Sequence, residues 1–314
     1  MQDKALILGA SGSFGGAMAV QLMQRGWQVT ALARDPAKLG ALRAAGLTVL
    51  SGDAQDLKTL MLAAAGCRII VHGVNYPYPQ WIPHMQTVTE NVIAAARQVG
   101  ARIVFPGNVY GFGAQTLHPL PETAAVSPTG KKGRLRVKLE QALHEATLDG
   151  KASVLIVRAG DYFGPTVRNG YVDRLFGNAR RGRKMQVLGR LDVPHQWAYV
   201  PDLARATVDL LELPNLAPFD VVHFKGDVVD SQAQFLRLIA RLADVPGLGV
   251  QRLPWWLLRL VGLIDPLMRE VLEMRYLFDR AVIIDDPRRR ELLPHFTATP
   301  LPRAVQETLA SYPA

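Results

Sequence analysis

Gly9, Gly12 and Gly15 follow the apolar run Ala5–Leu8, and Met18, Leu22 and Met23 then recur at helical spacing. That order reads as strand, tight turn, helix. The glycines permit the turn, a close approach of backbone to a ligand, and tight helix–strand packing. The helix N-terminus offers unpaired N–H groups and partial positive charge to a pyrophosphate. Ser11, Ser13 and Phe14 fill the turn. The chemistry expected here is dinucleotide binding; the competing reading is an ordinary strand-to-helix turn. A second apolar run ends at Ala33, where a ribose-binding carboxylate commonly stands; Arg34 follows it, with Lys38 four residues on. A guanidinium there would hold a 2′-phosphate through paired charge-assisted bonds. NADP(H) is therefore expected over NAD(H). The competing reading makes Arg34 a surface residue and leaves the ribose to Asp35.

Other chemistry is sparser. The loop Asn75–Trp81 carries three aromatics, Tyr76, Tyr78 and Trp81, and two prolines. Such a rigid loop suits the wall of an apolar substrate pocket; packing on a C-terminal lobe is the alternative. Gly73 and Val74, just before it, are expected along the cofactor. No His/Cys/Asp cluster has metal-ligand spacing, so no metal is expected. His72 reads as a structural histidine, and Cys67, the single cysteine, as a buried apolar residue.

The elements that must position these groups alternate. Strands are expected at Gln28–Ala33, Thr48–Leu50, Arg68–His72, Arg102–Phe105 and Ser153–Val157. Helices are expected at Pro36–Ala45, Asp56–Ala65, Met85–Val99 and Leu135–Thr147. Continuous apolar strands alternating with helices imply a parallel sheet covered on both faces. The fold class is thus α/β: a doubly wound Rossmann-type sheet with a smaller, mainly helical C-terminal lobe. The expected division is residues 1–165 for the NADP-binding domain and 166–314 for the substrate lobe, with elements near 196–224 returning to the first. Beyond Pro165, Tyr171–Arg181 and Asp202–Leu213 read as helices. Met185–Leu188, Gln196–Val200 and Phe219–Phe224 read as extended. Pro254–Leu258 is expected in the lobe core, with a lid, a dimer patch or a membrane-touching helix as alternatives.

The spacing G-x-x-G-x-x-G resembles the extended short-chain dehydrogenase/reductase superfamily, which holds nucleotide-sugar epimerases, dehydratases and carbonyl reductases. The resemblance runs through nearly the whole chain. It implies that Asp53, with Ala54 beside it, contacts the adenine; the alternative is a helix cap. Ile103–Gly111 resembles the family's S-S-x-x-V-Y-G loop, with Val109, Tyr110 and Gly111 matching. Pro106 stands where that loop carries the catalytic Ser or Thr, and with Gly107 is expected beside the cofactor. In the segment resembling S-P-Y-x-x-x-K, Thr129 takes the Tyr position and Gly133 the Lys position. All three members of the usual proton-transfer set are missing.

The resemblance therefore implies another proton donor: Tyr110, Asp161, Lys132 or a bound water. Packing is the competing role for Tyr110. Asn108 is placed to orient a carbonyl. Arg158–Pro165 resembles the family's R-x-x-N-x-Y-G-P loop, with Asp161 at the Asn. His195–Ala204 resembles R-D-F-x-Y-V-x-D-x-A, with His195 at the Arg that clamps a diphosphate. A carboxylate gained and a fixed cation lost oppose a nucleotide-sugar substrate. Tyr162 and Trp197 are expected to complete an apolar pocket.

The functional expectation is an NADP(H)-dependent oxidoreductase reducing a small, apolar carbonyl or conjugated compound. Its alternatives are a nucleotide-sugar epimerase or dehydratase, and a non-catalytic NADP-sensing regulator. Of the net charge of +9, part sits between Lys151 and Arg190, where nine Lys/Arg face two Asp. That run reads as a solvated helix end, its cations complementing the C-terminal dipole, with an anionic ligand or nucleic acid as the alternative; no nucleic-acid motif accompanies it. A cytoplasmic location, a small-molecule substrate, no nucleic acid and no membrane are expected, with a homodimer as a further option.

Overall fold

The computed structural model describes residues 2–114 and 119–313. In its first half, strands β1 (Lys4–Leu8), β2 (Gln28–Ala33), β3 (Thr48–Ser51), β4 (Ile69–His72), β5 (Arg102–Gly107) and β6 (Ser153–Ala159) alternate with helices. Those helices are α1 (Ser13–Gln24), α2 (Gly40–Ala44), α3 (Leu57–Ala64), α4 (Trp81–Val99) and α5 (Lys131–Glu145). The expected helix Pro36–Ala45 divides into a 3-10 turn, Pro36–Leu39, and α2. Helix α4 begins four residues before the expected start. Pro83 falls in its first turn, where a missing N–H leaves no bond unmade.

Later elements are β7 (Asp161–Phe163), α6 (Asn178–Arg180), β8 (Met185–Val187), β9 (His195–Tyr199), α7 (Val200–Leu211), β10 (Phe219–Phe224) and β11 (Asp227–Val229). Then come α8 (Gln232–Leu242), β12 (Val250–Arg252), α9 (Trp255–Val261), α10 (Pro266–Glu273), α11 (Tyr276–Asp279), α12 (Pro287–Leu292) and α13 (Leu301–Ala310). The segment expected to be helical over 171–181 is helical over 172–180, with a π-helical turn at Asp173–Gly177 leading into α6.

Seven strands make one sheet in the order β10-β6-β5-β4-β1-β2-β3. Each neighbouring pair is parallel. The order reverses between β1 and β4, and in such sheets ligands bind beyond the strand C-termini at that point. Parallel strands need cover on both faces, and two apolar clusters supply it. One face packs Met18 and Leu22 of α1 with Leu203 and Ala206 of α7, and continues into the lobe through Phe163, Phe176 and Phe235. The other packs Leu60, Val88, Val92, Leu139 and Leu143 of α3, α4 and α5. A separate sheet, β11-β9-β7, carries Asp161 and His195 on adjacent parallel strands.

Candidate functional site

The β1–α1 turn is built by exclusion. Gly9 has φ +77°, and a Cβ there would lie 2.2 Å from the Gly73 carbonyl oxygen. One on Gly15 would lie 2.4 Å from the Gly9 carbonyl oxygen, and one on Gly73 2.8 Å from that of Leu8. Only glycine allows β1, β4 and α1 to meet this closely. Helix α1 starts at Ser13 after Gly12, with no side-chain cap and no acidic residue in its first turn. Its first N–H groups have no carboxylate competitor, so the cradle fits a pyrophosphate.

At the ends of β2 and β3, Arg34 is exposed and makes no ion pair among the described residues. Its guanidinium lies 5.4 Å from the centre of the Tyr76 ring. Asp35 is engaged locally, accepting from the Ala37 N–H at 3.2 Å and facing Lys38 at 3.6 Å. Asp53 accepts from the Gln55 N–H at 2.9 Å, while Asp56 caps α3. Tyr76 is buried here, against His84, with burial and then the Asp53 charge raising its phenol pKa. The loop was expected to line a substrate pocket. Tyr76 instead sits beside Arg34 and Asp53, at the ends of β2 and β3.

Tyr78 goes to the other end. Its hydroxyl lies 2.8 Å from that of Tyr110. Trp81 closes this group, with ring centres 5.2 Å from Tyr78 and 6.1 Å from Tyr110. The Trp81 indole N–H donates to Asn75 Oδ1 at 3.0 Å and to the Tyr76 carbonyl at 2.8 Å. Trp81 is thus a buried scaffold residue. Burial first, and then neighbouring charges including Asp161, hold the Tyr110 phenol well above its ordinary pKa. A neutral buried phenol can hydrogen-bond, but it takes up the anionic form reluctantly. That weakens Tyr110 as the acid/base group.

Lys132 is spoken for as well. Its side chain is 1% exposed and pairs with Glu270 and, at 3.3 Å, with Glu273 of α10. Glu273 also accepts from the Lys132 backbone N–H at 3.0 Å. The basic start of α5, unfavourable beside the helix dipole, finds its anionic neighbour within the chain. Gly133 stands where the family's Lys belongs, and a Cβ there would lie 2.5 Å from the Tyr110 carbonyl oxygen. Thr129 is exposed.

Asp161 and His195 meet: Oδ2 and Nε2 are 2.8 Å apart. The carboxylate side chain is 36% exposed and the imidazole 8%, so Asp161 is the outward member and His195 backs it. Tyr78, Tyr110 and Tyr162 are likewise half-buried. Trp197 does not join Tyr162 in lining an apolar pocket. It is fully buried, with its ring stacked on Tyr171 and Phe235, and belongs to the lobe core. Asn108 turns to its own backbone, accepting from the Tyr110 N–H at 3.0 Å.

One residue escaped the sequence reading. Arg136 lies one turn beyond Gly133 on α5, is 5% exposed, and donates to the Pro106 carbonyl. Its guanidinium lies 4.3 Å from the Phe105 ring centre, and its Nε has no partner. It borders a cavity of about 10 Å³ with Asn108, Glu140 and Arg158, room for one water. Its spacing from Gly133 placed it on the buried face of α5, but an arginine there reads as surface. His72 also lies beneath the site, 2.9 Å from Thr89 Oγ1, its pKa lowered to about 3 by burial and then by Arg136. Among the described residues no group of His, Cys, Asp and Glu is arranged to hold a metal.

The NAD dependent epimerase/dehydratase family matches residues 5–221. A curated relative, uncharacterized protein y4nG of Sinorhizobium fredii, is 25% identical over 226 residues, covering 69% of this chain. The match spans 55% of that relative's own length. Among solved structures, the Bordetella bronchiseptica enzyme WbmH in complex with NAD+ superposes with TM-score 0.76 and 18% identity, over 99% of this chain and 98% of that one. MoeE5 in complex with UDP-glucose and NAD gives TM-score 0.77 and 19% identity over 98% of each chain. UDP-glucose 4-epimerase of Thermotoga maritima with UDP-glucose gives 0.79 and 15% over 98% of each. These likenesses agree with the seven-stranded parallel sheet, and the match over residues 5–221 shows that the chain belongs to the NAD dependent epimerase/dehydratase family.

Proposed function

We propose that the chain is an oxidoreductase of epimerase/dehydratase type in which the Asp161–His195 pair carries the proton. When bound, a nicotinamide dinucleotide supplies hydride transfer to or from a carbon bearing oxygen. Gly9, Gly12, Gly15 and the start of α1 would hold its pyrophosphate. Asp53 would serve the adenosine end and Arg34 a 2′-phosphate. The observation that carries the reading is the 2.8 Å Asp161–His195 contact, with Asp161 open to the outside. As a substrate hydroxyl is oxidised, its proton passes to the Asp161 carboxylate, and His195 shares it. In the reverse direction the same pair returns the proton. Tyr78 and Tyr110 bind and orient as neutral phenols, and Arg136 fixes the Pro106 carbonyl at the end of β5.

On substrate class, the family match and the solved relatives with UDP-glucose support nucleotide-sugar epimerisation or dehydration more than reduction of a free apolar carbonyl. A second reading keeps the NADPH-dependent reductase. It is favoured by Asp161 and His195 themselves, a carboxylate and an imidazole where a diphosphate calls for neutral donors or a fixed cation. The test is one assay with two panels. UDP- and dTDP-sugars on one side, and hydrophobic carbonyls on the other, are offered with NAD(H) and NADP(H). Turnover of the sugars supports the first substrate class, and turnover of carbonyls alone the second. Tight dinucleotide binding with no turnover in either panel would replace both with a sensing role.

A further inference from the structure

We propose that the α9–α10 corner docks the protein on an anionic membrane surface. Trp256 is 63% exposed, Leu260 56%, Leu263 76% and Ile264 87%, with Leu257 and Leu267 about two-fifths exposed. These six fall within residues 256–267, and only Leu258 of α9 is turned into the core. The segment was expected inside the lobe. Instead helix, turn and helix present one apolar crest.

The charge around the crest names the occupant. Arg259 and Arg269 lie on the same corner and are exposed. The β8–β12 ribbon leads directly into α9 and brings Arg252 to it, while Lys184, Arg180, Arg181 and Arg183 precede β8, beside Gly249 at the ribbon's other end. None of these side chains makes an ion pair among the described residues. The local acids are partly offset: Glu270 and Glu273 share Lys132, Asp279 pairs with Arg275, and Asp265 within the crest caps α10 through the Leu267 N–H. The corner therefore presents Trp and Leu edged by free cations, the composition of an element lying in a lipid headgroup layer. A second copy would bring the same cations face to face, in a chain of net charge +9. No helix among the described residues is long and apolar enough to cross a membrane, so the contact would be peripheral.

Co-sedimentation of the full chain with vesicles tests this without reference to turnover. Vesicles of phosphatidylglycerol and phosphatidylcholine in equal parts are compared with pure phosphatidylcholine. Binding is expected to the anionic vesicles only, weakening at high salt. The double variant Leu263→Ser/Ile264→Ser should lower affinity roughly tenfold or more. Arg252→Glu/Arg259→Glu should do the same through charge. Leu148→Ser, at an exposed apolar site elsewhere, should bind as the parent does. Absence of binding to the anionic vesicles would overturn the proposal. So would a concentration-dependent dimer, read by sedimentation velocity, that Leu263→Ser/Ile264→Ser abolishes; that result assigns the crest to a second copy.

Discussion

At the scale of single residues, proton transfer turns on which groups are free to act. Lys132 is paired and Tyr110 is held neutral by burial, whereas Asp161 is open and backed by His195. Asp161→Asn and His195→Gln should each lower turnover about a hundredfold or more, as loss of a general acid/base does. Tyr110→Phe should cost turnover far less, because it removes a hydrogen bond and no titrating group. A greater loss in Tyr110→Phe than in Asp161→Asn, in matched assays, would reverse the assignment. Arg34 carries the second prediction. Losing a charge-assisted contact of about 1.5–3 kcal/mol should weaken NADPH binding roughly 10- to 150-fold. NADH binding should hardly change. Calorimetry of Arg34→Ala decides it, and equal losses for both cofactors would remove the 2′-phosphate role.

At the scale of elements, the start of α5 explains why the family's catalytic set is not merely displaced. A Cβ on Gly133 would overlap the Tyr110 carbonyl, so the turn at Val109–Phe112 and the first turn of α5 fit only without a side chain. Gly133→Ala should cost about 1–3 kcal/mol by overpacking, read by urea denaturation. Thr129→Tyr/Gly133→Lys should fail to restore the family's chemistry and should unfold earlier still. A double variant as stable as the parent would contradict this packing. The glycine turn and the parallel strands were legible in the sequence because each rests on local spacing: Gly9, Gly12 and Gly15 by position, β4 and β6 by unbroken apolar runs. The fate of Lys132 was not, because Glu270 and Glu273 lie more than a hundred residues away. Nor was the division of Asn75–Trp81, where Tyr76 packs by Arg34 and Asp53 while Tyr78 reaches Tyr110. Asp161 and His195 were each singled out, but nothing in their spacing showed that β7 and β9 pair side by side.

At the scale of the whole molecule, the site rests on buried groups that make folding sensitive to acid. Burial holds His72 at about 3 against an ordinary 6.5, and His223 at about 4. Both are neutral when folded and protonate on unfolding, so their contribution is present above pH 6.5 and is lost as pH falls. One such group removes about 2 kcal/mol by pH 5. Asp227 opposes this: burial raises its carboxyl to about 6, so it gains stability over part of the same range. The pH dependence of urea denaturation should therefore flatten in His72→Gln, and an unchanged acid limb would exclude His72 as its source. The glycine cradle follows the C-terminal end of β1 and Asp161 follows that of β6, on the same edge of the parallel sheet, and the proposed function joins the two. The deciding measurement follows the product formed from the sugar and carbonyl panels in the parent and in Asp161→Asn, because epimerisation and dehydration return the nicotinamide to its starting state and leave no net absorbance change; dinucleotide affinity is measured in parallel. Product is expected in the parent, at a rate reduced about a hundredfold or more in the variant, with dinucleotide affinity intact. Parent-like rates in Asp161→Asn would contradict it.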